Sequence, residues 1–176
     1  LIILIAMTLG GVALVRSVDT ANLVAGNLSF RESAVLAGER ATEQAVIGWL
    51  QPMTIAKDPS LHADSAANGY RAVRQDPPAG TAWDTFWNTT LAAQAITAAP
   101  DAANNTVSYV IHRLCDGAGA PHTVSCSKPP SNANSGGSFS AGAVSTITSS
   151  QVYYRITARI AGPRSTVAYV QPIVAL

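Results

Sequence analysis

The N-terminal fifteen residues of this chain, LIILIAMTLGGVALV, carry no charged side chain. They continue without a proline to about Leu50, with apolar residues near helical spacing, which predicts one long helix. A helix from Leu1 to Leu50 would be about 75 Å long at 1.5 Å per residue, far longer than a small domain is wide. We therefore predict a helix over 1–50, with a half at 1–24 buried in lipid or partner subunits and a domain-packed half at 25–50. Residues 51–176 would form a globular head domain.

The apolar opening has three interpretations. It is short for a membrane span, which needs about 20 apolar residues. A secretory signal fits its length, but no basic region precedes it and no small-residue cleavage site follows before Arg16. A buried core helix is the second interpretation. The third, which we favour, is the back part of a span whose first residues are missing, because the chain starts with Leu1 instead of Met. The candidate membrane residues are Leu1, Ile2, Ile3, Leu4, Ile5, Leu9, Val12, Leu14 and Val15.

Glycines interrupt this helix at positions 10, 11 and 26. A glycine inside a helix costs up to about 1 kcal/mol relative to alanine. Two explanations stay open: the helix bends or opens there, or small residues let another helix approach closely.

Charge and motif content argue against several function classes. The 11 basic and 10 acidic residues are scattered, so the chain lacks the clustered basic surface that nucleic acid requires. The histidines lack a plausible nucleophile partner, and no Gly-rich phosphate loop precedes a lysine and a hydroxyl residue. We expect neither an enzyme nor a cofactor. Asp64, Asp76 and Asp84 lie in loop-like sequence and are interpreted as turn residues.

The two cysteines, Cys115 and Cys126, enclose ten residues rich in Gly, Ala and Pro. We favour a disulfide, because an even cysteine count in an exported chain points to an oxidising compartment. A metal site with His112 and His122 is the rival, but it lacks the C-x2-4-C pair of structural zinc sites. Two free buried thiols are the third possibility.

The rest of the chain predicts an α+β fold. Val107–Leu114 is rich in β-branched and aromatic residues and is interpreted as a strand, with His112 at its surface or half-buried. Residues 151–160 alternate as a half-buried antiparallel strand, and 166–176 return as a second strand that Pro172 makes irregular or places at an edge. A three- or four-stranded antiparallel sheet covered by the back half of the helix follows. Trp83, Phe86 and Trp87 would anchor its core, with a ligand cage as the less favoured alternative. The arginines of the hairpin would lie on a solvated face or contact a partner: Arg155, Arg159 and Arg164.

This layout resembles type IV pilins, and three stretches resemble the PilX family of minor pilins. The first is 9–17 (LGGVALVRS), which ends in Arg16 and Ser17 as that family's apolar stretch does. The second is Ala25-Gly26-Asn27-Leu28, similar to the family's Ala-Gly-Asn-Leu signature. The third is the set of strand segments at 107–115 and 154–171, including YRIT and GPR. Together they cover about half of the chain.

The resemblance implies a pilin-like fold, in which a long N-terminal helix packs on a small antiparallel sheet with a disulfide-tied loop. It implies a subunit held in the inner membrane with a periplasmic head, then moved into an extracellular pilus. Partners would be other minor pilins and the major pilin through the helix, and a tip adhesin. The family primes pilus assembly and takes part in adhesion, aggregation and twitching motility. The leader, the processed first residue and the following acid of pilins do not occur in the sequence.

Two other functions stay open from the sequence. A type II secretion pseudopilin shares the helix but often carries a calcium site, and no Asp or Glu follows Asp116 here. A membrane-anchored periplasmic binding domain would need a concave polar site, which the sequence neither shows nor excludes.

Overall fold

The structure, a computed structural model, describes residues 2–129 and 151–176. Its helical elements are α1 (Ile2–Ala45), a π-helical segment (Val46–Leu50), α2 (Gln51–Ile55) and α3 (Trp83–Phe86), followed by a second π-helical segment (Trp87–Leu91). Short 3-10 turns lie at Pro59–His62, Ala66–Asn68, Ala92–Gln94 and Pro163–Ser165. The strands are β1 (Tyr70–Arg71), β2 (Ile96–Thr97), β3 (Thr106–Arg113), β4 (Tyr153–Ala161), β5 (Val167–Val170) and β6 (Ile173–Ala175). The predicted α+β class and long N-terminal helix are confirmed.

The long helix extends beyond its predicted end at Leu50. Ala45 and Gln51 both keep right-handed helical backbone angles, so α1 continues through the π-helical segment into α2 and ends at Ile55. Pro52 had suggested an earlier end, because proline normally clashes with the carbonyl four residues before it. Here it follows the wider π turn, in which the Gln51 N–H donates to the Val46 carbonyl. The helix therefore continues past Leu50, and the sequence gives no signal for such a turn.

The sheet is larger than predicted and is mixed instead of purely antiparallel. Its central strands β3 and β4 pair in antiparallel register from Thr106–Ala161 to Arg113–Tyr154. β5 and β6 both pair with β4, and Pro172 separates them, which confirms the predicted irregularity. β1 and β2 add to the other edge of β3, and β1 runs parallel to it. A strand of two residues is too short to show an alternation of apolar and polar side chains, so the sequence did not indicate β1 and β2.

Both faces of the sheet are covered in the part of the chain that the structure describes. On one face lies the back half of α1, and on the other lies the segment of α3 and the π turn after it. Phe86, Trp87 and Leu91 pack there against Val110, which confirms the predicted role of the aromatic cluster. The strand predicted as half-buried is therefore nearly buried on both sides.

The helix approaches the sheet closely because its contacting residues are small. Ala34, Ala37 and Ala41 are buried against Val107, Ala158 and Ile160. Gly38 lies in the same contact, and a Cβ atom built there would be 2.7 Å from the Ile160 Cδ1 atom. A side chain of any size at position 38 would hold the helix away from the sheet.

Candidate functional site

The most unusual surface of the molecule is the first half of α1. Every residue from Gly10 to Ala25 is exposed, and burial against the sheet begins only near Ser33. From Ile2 to Leu28 the helix extends for about 40 Å at 1.5 Å per residue. Its large apolar residues keep 56–73% of their surface exposed: Ile3, Met7, Val12, Leu14, Val15, Val18, Leu23, Val24 and Leu28.

These apolar residues surround the helix instead of forming one stripe. Successive residues turn by about 100°, so Val12, Leu14 and Val24 point in three well-separated directions. A helix that is apolar all round is normally buried on all sides. This geometry differs from that of a helix lying on a membrane surface, which needs a polar face. The surface is therefore suited to being enclosed by lipid or by other helices.

Most of the predicted site residues on this helix whose side chains are described are exposed. Ile3, Val12, Leu14 and Val15 are exposed, as are Arg16, Ser17, Ala25 and Asn27. Ile2, Leu4, Ile5 and Leu9 belong to α1 by their backbone, whereas Leu1 lies outside the described residues. Gly10, Gly11 and Gly26 have no atom within 4 Å of an added Cβ. Within the described residues, no helix has a stretch long and apolar enough to cross a membrane.

The predicted disulfide between Cys115 and Cys126 is confirmed. Cys115 is fully buried, and the two Cα atoms are 3.9 Å apart in an isolated antiparallel bridge. Backbone hydrogen bonds continue this pairing on both sides, from the Asp116 N–H to the Ser125 carbonyl (2.9 Å) and from the Ser127 N–H to the Leu114 carbonyl (2.8 Å). The loop is also attached to the region after α2, because the Gly119 N–H donates to the His62 carbonyl at 2.8 Å.

We expect removal of this disulfide to destabilise the head domain. Closing a loop of this length stabilises a fold by about 2–3 kcal/mol in the chain-entropy model. The double variant C115A/C126A should lose about that much unfolding free energy in urea. Its stability should not change on addition of a reductant, whereas that of the wild type should fall to the same value. A reductant-insensitive wild type would contradict the role given to the bridge.

A buried polar cluster lies between the sheet and the segment that leads to α3. Arg155 on β4 donates to the Asp76 carboxylate and to the Gln75 carbonyl, and its guanidinium carbon lies 5.5 Å from the centre of the Trp83 ring. Directly across from it on β3, His112 is fully buried, and its Nε2 atom lies 3.3 Å from the Gln75 side-chain oxygen. The prediction that His112 lies at the surface or is half-buried was wrong, and so was the prediction that Arg155 lies on a solvated face. Both residues are buried because the segment at 72–98 covers this side of the sheet.

Burial controls the protonation of this histidine. Loss of hydration lowers the pKa of His112 to about 4, and the nearby Arg155 guanidinium acts in the same direction. Asp76 and Asp64 oppose the shift only in part. The cluster therefore holds a neutral imidazole between two arginines, since Arg71 of β1 is its partner on the other side.

The three aspartates interpreted as turn residues make specific tertiary contacts. Asp64 pairs with Arg71 at 2.8 Å and also accepts the Ala72 N–H at 2.8 Å. Asp84 accepts the Tyr169 hydroxyl at 2.8 Å. Sequence spacing could not reveal these contacts, because Asp84 and Tyr169 are distant along the chain.

In the described part of the chain, no three His, Cys, Asp or Glu side chains are grouped so that they could hold a metal ion. The disulfide occupies both cysteines of the rival metal site. No protein-family model, curated protein or solved structure matches this chain.

Proposed function

We propose that this chain is a minor subunit of a type IV pilus, anchored in the inner membrane by its N-terminal helix before assembly. The observation that carries the proposal is the exposed half of α1, which carries large apolar side chains on several sides over about 40 Å, interrupted by Arg16 and Asp19. The large apolar side chains of this surface favour surroundings that are largely apolar. A bilayer and a bundle of like helices both meet that requirement, so transfer between them has a small free-energy cost.

The rest of the architecture supports the same function. The back half of the helix is held on the sheet through Ala34, Ala37 and Ala41, so the head and the exposed helix would move as one subunit. A further attachment is the hydrogen bond from the Asn105 side-chain amide to the Ser33 hydroxyl, at 3.0 Å. The head domain carries a disulfide, which suits an exported chain. In this proposal the helix contacts other minor pilins and the major pilin, and the head faces outward near a tip adhesin, contributing to adhesion, aggregation and twitching motility.

The proposal is tested by filament incorporation. The full-length precursor is expressed in cells that make type IV pili, and sheared filaments are analysed by non-reducing mass spectrometry. We expect trace amounts relative to the major subunit, with Cys115 and Cys126 bridged. Recovery only from the inner membrane, with filaments unaffected by deletion of the gene, would exclude the minor-pilin function.

A matched pair of variants tests whether the apolar surface is responsible. Leu23 and Asn22 are adjacent, and both are exposed on α1. L23E and N22E add the same charge, but only L23E removes an apolar side chain. We expect the L23E subunit to be at least about tenfold depleted from filaments relative to N22E, with unchanged thermal unfolding of the head. Equal incorporation of the two variants would contradict a role for the apolar side chain.

A further inference from the structure

A pocket of about 430 Å³ lies at the end of the long helix, on the side of the sheet that the helix covers. This volume is within the range of small-molecule sites. The end of α2, the disulfide loop and the ends of β3 and β4 surround it. Its charged and titratable lining residues are mostly basic: Lys57, Arg113, Lys128, His62, His122 and a single acid, Asp58.

Arg113 is the central feature of this pocket. It is fully buried on β3, where its Nε atom donates to the Ala72 carbonyl (3.1 Å) and its Nη2 atom donates to the Gly117 carbonyl (3.2 Å). Its Nη1 atom is buried without a hydrogen-bond partner among the described residues. No carboxylate of residues 2–129 or 151–176 forms an ion pair with it, and the remaining residues contain no Asp or Glu.

This arrangement is unfavourable unless something enters the pocket. An arginine keeps its charge in proteins, so the charge of Arg113 is not relieved by loss of a proton. A buried cation without a counter-ion is strongly destabilising, and an unsatisfied N–H group adds to the effect. An oxyanion in the pocket would supply the missing counter-charge, and one that reached the Nη1 atom would also supply the missing acceptor.

Lys57 gives independent support. It lies two residues after the end of α2 and has φ of 51°, in the left-handed region that glycine normally occupies just past a helix end. Its ammonium group forms no ion pair with a described residue. The neighbouring acid, Asp58, accepts the Ser60 N–H at 2.8 Å and so caps the next turn. A strained lysine that lines the pocket therefore adds positive charge that the described residues do not neutralise.

We propose that this pocket binds a small ligand that presents one oxyanion, a carboxylate, sulfate or phosphate, to Arg113. Lys57 and Lys128 would attract the anion, and the apolar wall would hold a ring or hydrocarbon body against Leu61, Val152 and Tyr154. This ligand site goes beyond assembly of the subunit and does not depend on it.

The test is a titration of the full chain, kept in a neutral maltoside detergent, at fixed ionic strength. Phenyl phosphate, benzoate and benzenesulfonate share a ring and differ in their anion, and benzyl alcohol is the uncharged control. We expect at least one anion to bind with a dissociation constant below about 1 mM, with amide NMR shifts concentrated at Ala72 and Gly117. The compound that binds most tightly of the three identifies the class of anion that the pocket prefers. Absence of such shifts with all three, or equal binding of benzyl alcohol, would overturn the proposal.

Variants separate binding from folding. K57G relieves the left-handed strain, so it should unfold at a higher temperature while binding the anion about threefold more weakly. K128Q should weaken binding by a similar factor, and R113M by at least about tenfold. The matched control is R74Q, which removes an exposed arginine outside this pocket and should bind as the wild type does. Because K57G is expected to fold better than the wild type, unchanged affinity in that variant would contradict the role of Lys57. Wild-type affinity in R113M would refute the site.

Discussion

Replacing Gly38 by leucine is expected to destabilise the protein by about 3 kcal/mol, because the added side chain must push the helix off the sheet. A Cβ atom at this position would lie 2.7 Å from the Ile160 Cδ1 atom and 3.1 Å from the Val170 Cγ2 atom. Both neighbours belong to the sheet, and Ile160 is fully buried, so a shift of its Cδ1 atom would displace other core atoms. Urea unfolding of G38L against the wild type measures the effect.

Gly26 provides the control for this prediction. It lies on the same helix, but no atom is within 4 Å of an added Cβ. G26L should therefore be neutral or stabilising by up to about 1 kcal/mol, because leucine favours the helix more than glycine does. If G38L and G26L lose similar amounts of unfolding free energy, the close contact at Gly38 does not limit the packing of the helix on the sheet.

The comparison of these two glycines shows what the sequence could and could not predict. The long helix followed from the absence of proline and the spacing of apolar residues over 1–50. The sequence marked Gly10, Gly11 and Gly26 as the special positions, yet the described residues leave all three uncrowded. The sequence gives no such signal at Gly38, although the helix–sheet contact needs a glycine there. Its role depends on Ile160 and Val170, which are distant along the chain and reach the helix only through the sheet.

The same limit applies to the polar residues. Alternation along β4 correctly placed Ile156, Ala158 and Ile160 on a buried face. It also assigned Arg155 to solvent, because periodicity describes one strand and says nothing of what covers its second face. Arg113 was not singled out at all, since a buried arginine without an acid is contrary to the usual burial of residue types. Candidate sites of this kind emerge only from three-dimensional contacts.

Two regions of the described molecule have unusual surroundings: exposed apolar side chains on α1, and a buried arginine without a counter-ion beside the pocket. The exposed half of α1 lacks the apolar environment that its side chains require. At the other end of the same helix, Arg113 lines a pocket and has no ion-pair partner among the described residues. The two regions are separated by the helix–sheet contact, so a variant at one end should leave the other unchanged. L23E is therefore expected to bind the pocket ligand normally, and R113M to keep the apolar surface.

Acidification is expected to destabilise the head domain by about 3 kcal/mol between pH 6.5 and pH 4, through His112. The pKa of His112 is about 4 in the folded protein and about 6.5 in the unfolded chain. Within this window His112 binds a proton in the unfolded chain but stays neutral in the folded protein, so the unfolding free energy falls as the pH falls. The stabilisation is fully present above pH 6.5 and is lost near pH 4, below which His112 contributes no further change.

Two aspartates of the head domain titrate below this window. Acceptance of the Ser60 backbone N–H lowers the pKa of Asp58 below the usual 3.8, and acceptance of the Asn105 side-chain N–H, followed by backbone N–H groups, lowers that of Asp101. These two acids therefore add little to the slope between pH 6.5 and pH 4.

Urea unfolding at half-unit pH steps measures this slope. H112Q keeps a polar side chain beside Gln75 but does not titrate, so most of the slope should disappear even if the variant is less stable at pH 7. H122Q replaces an exposed histidine and should keep the wild-type slope. If H112Q keeps the wild-type dependence of unfolding free energy on pH, another group with a lowered pKa in the folded protein must cause it. In that case the neutral imidazole between Arg71 and Arg155 would not be the cause of acid sensitivity.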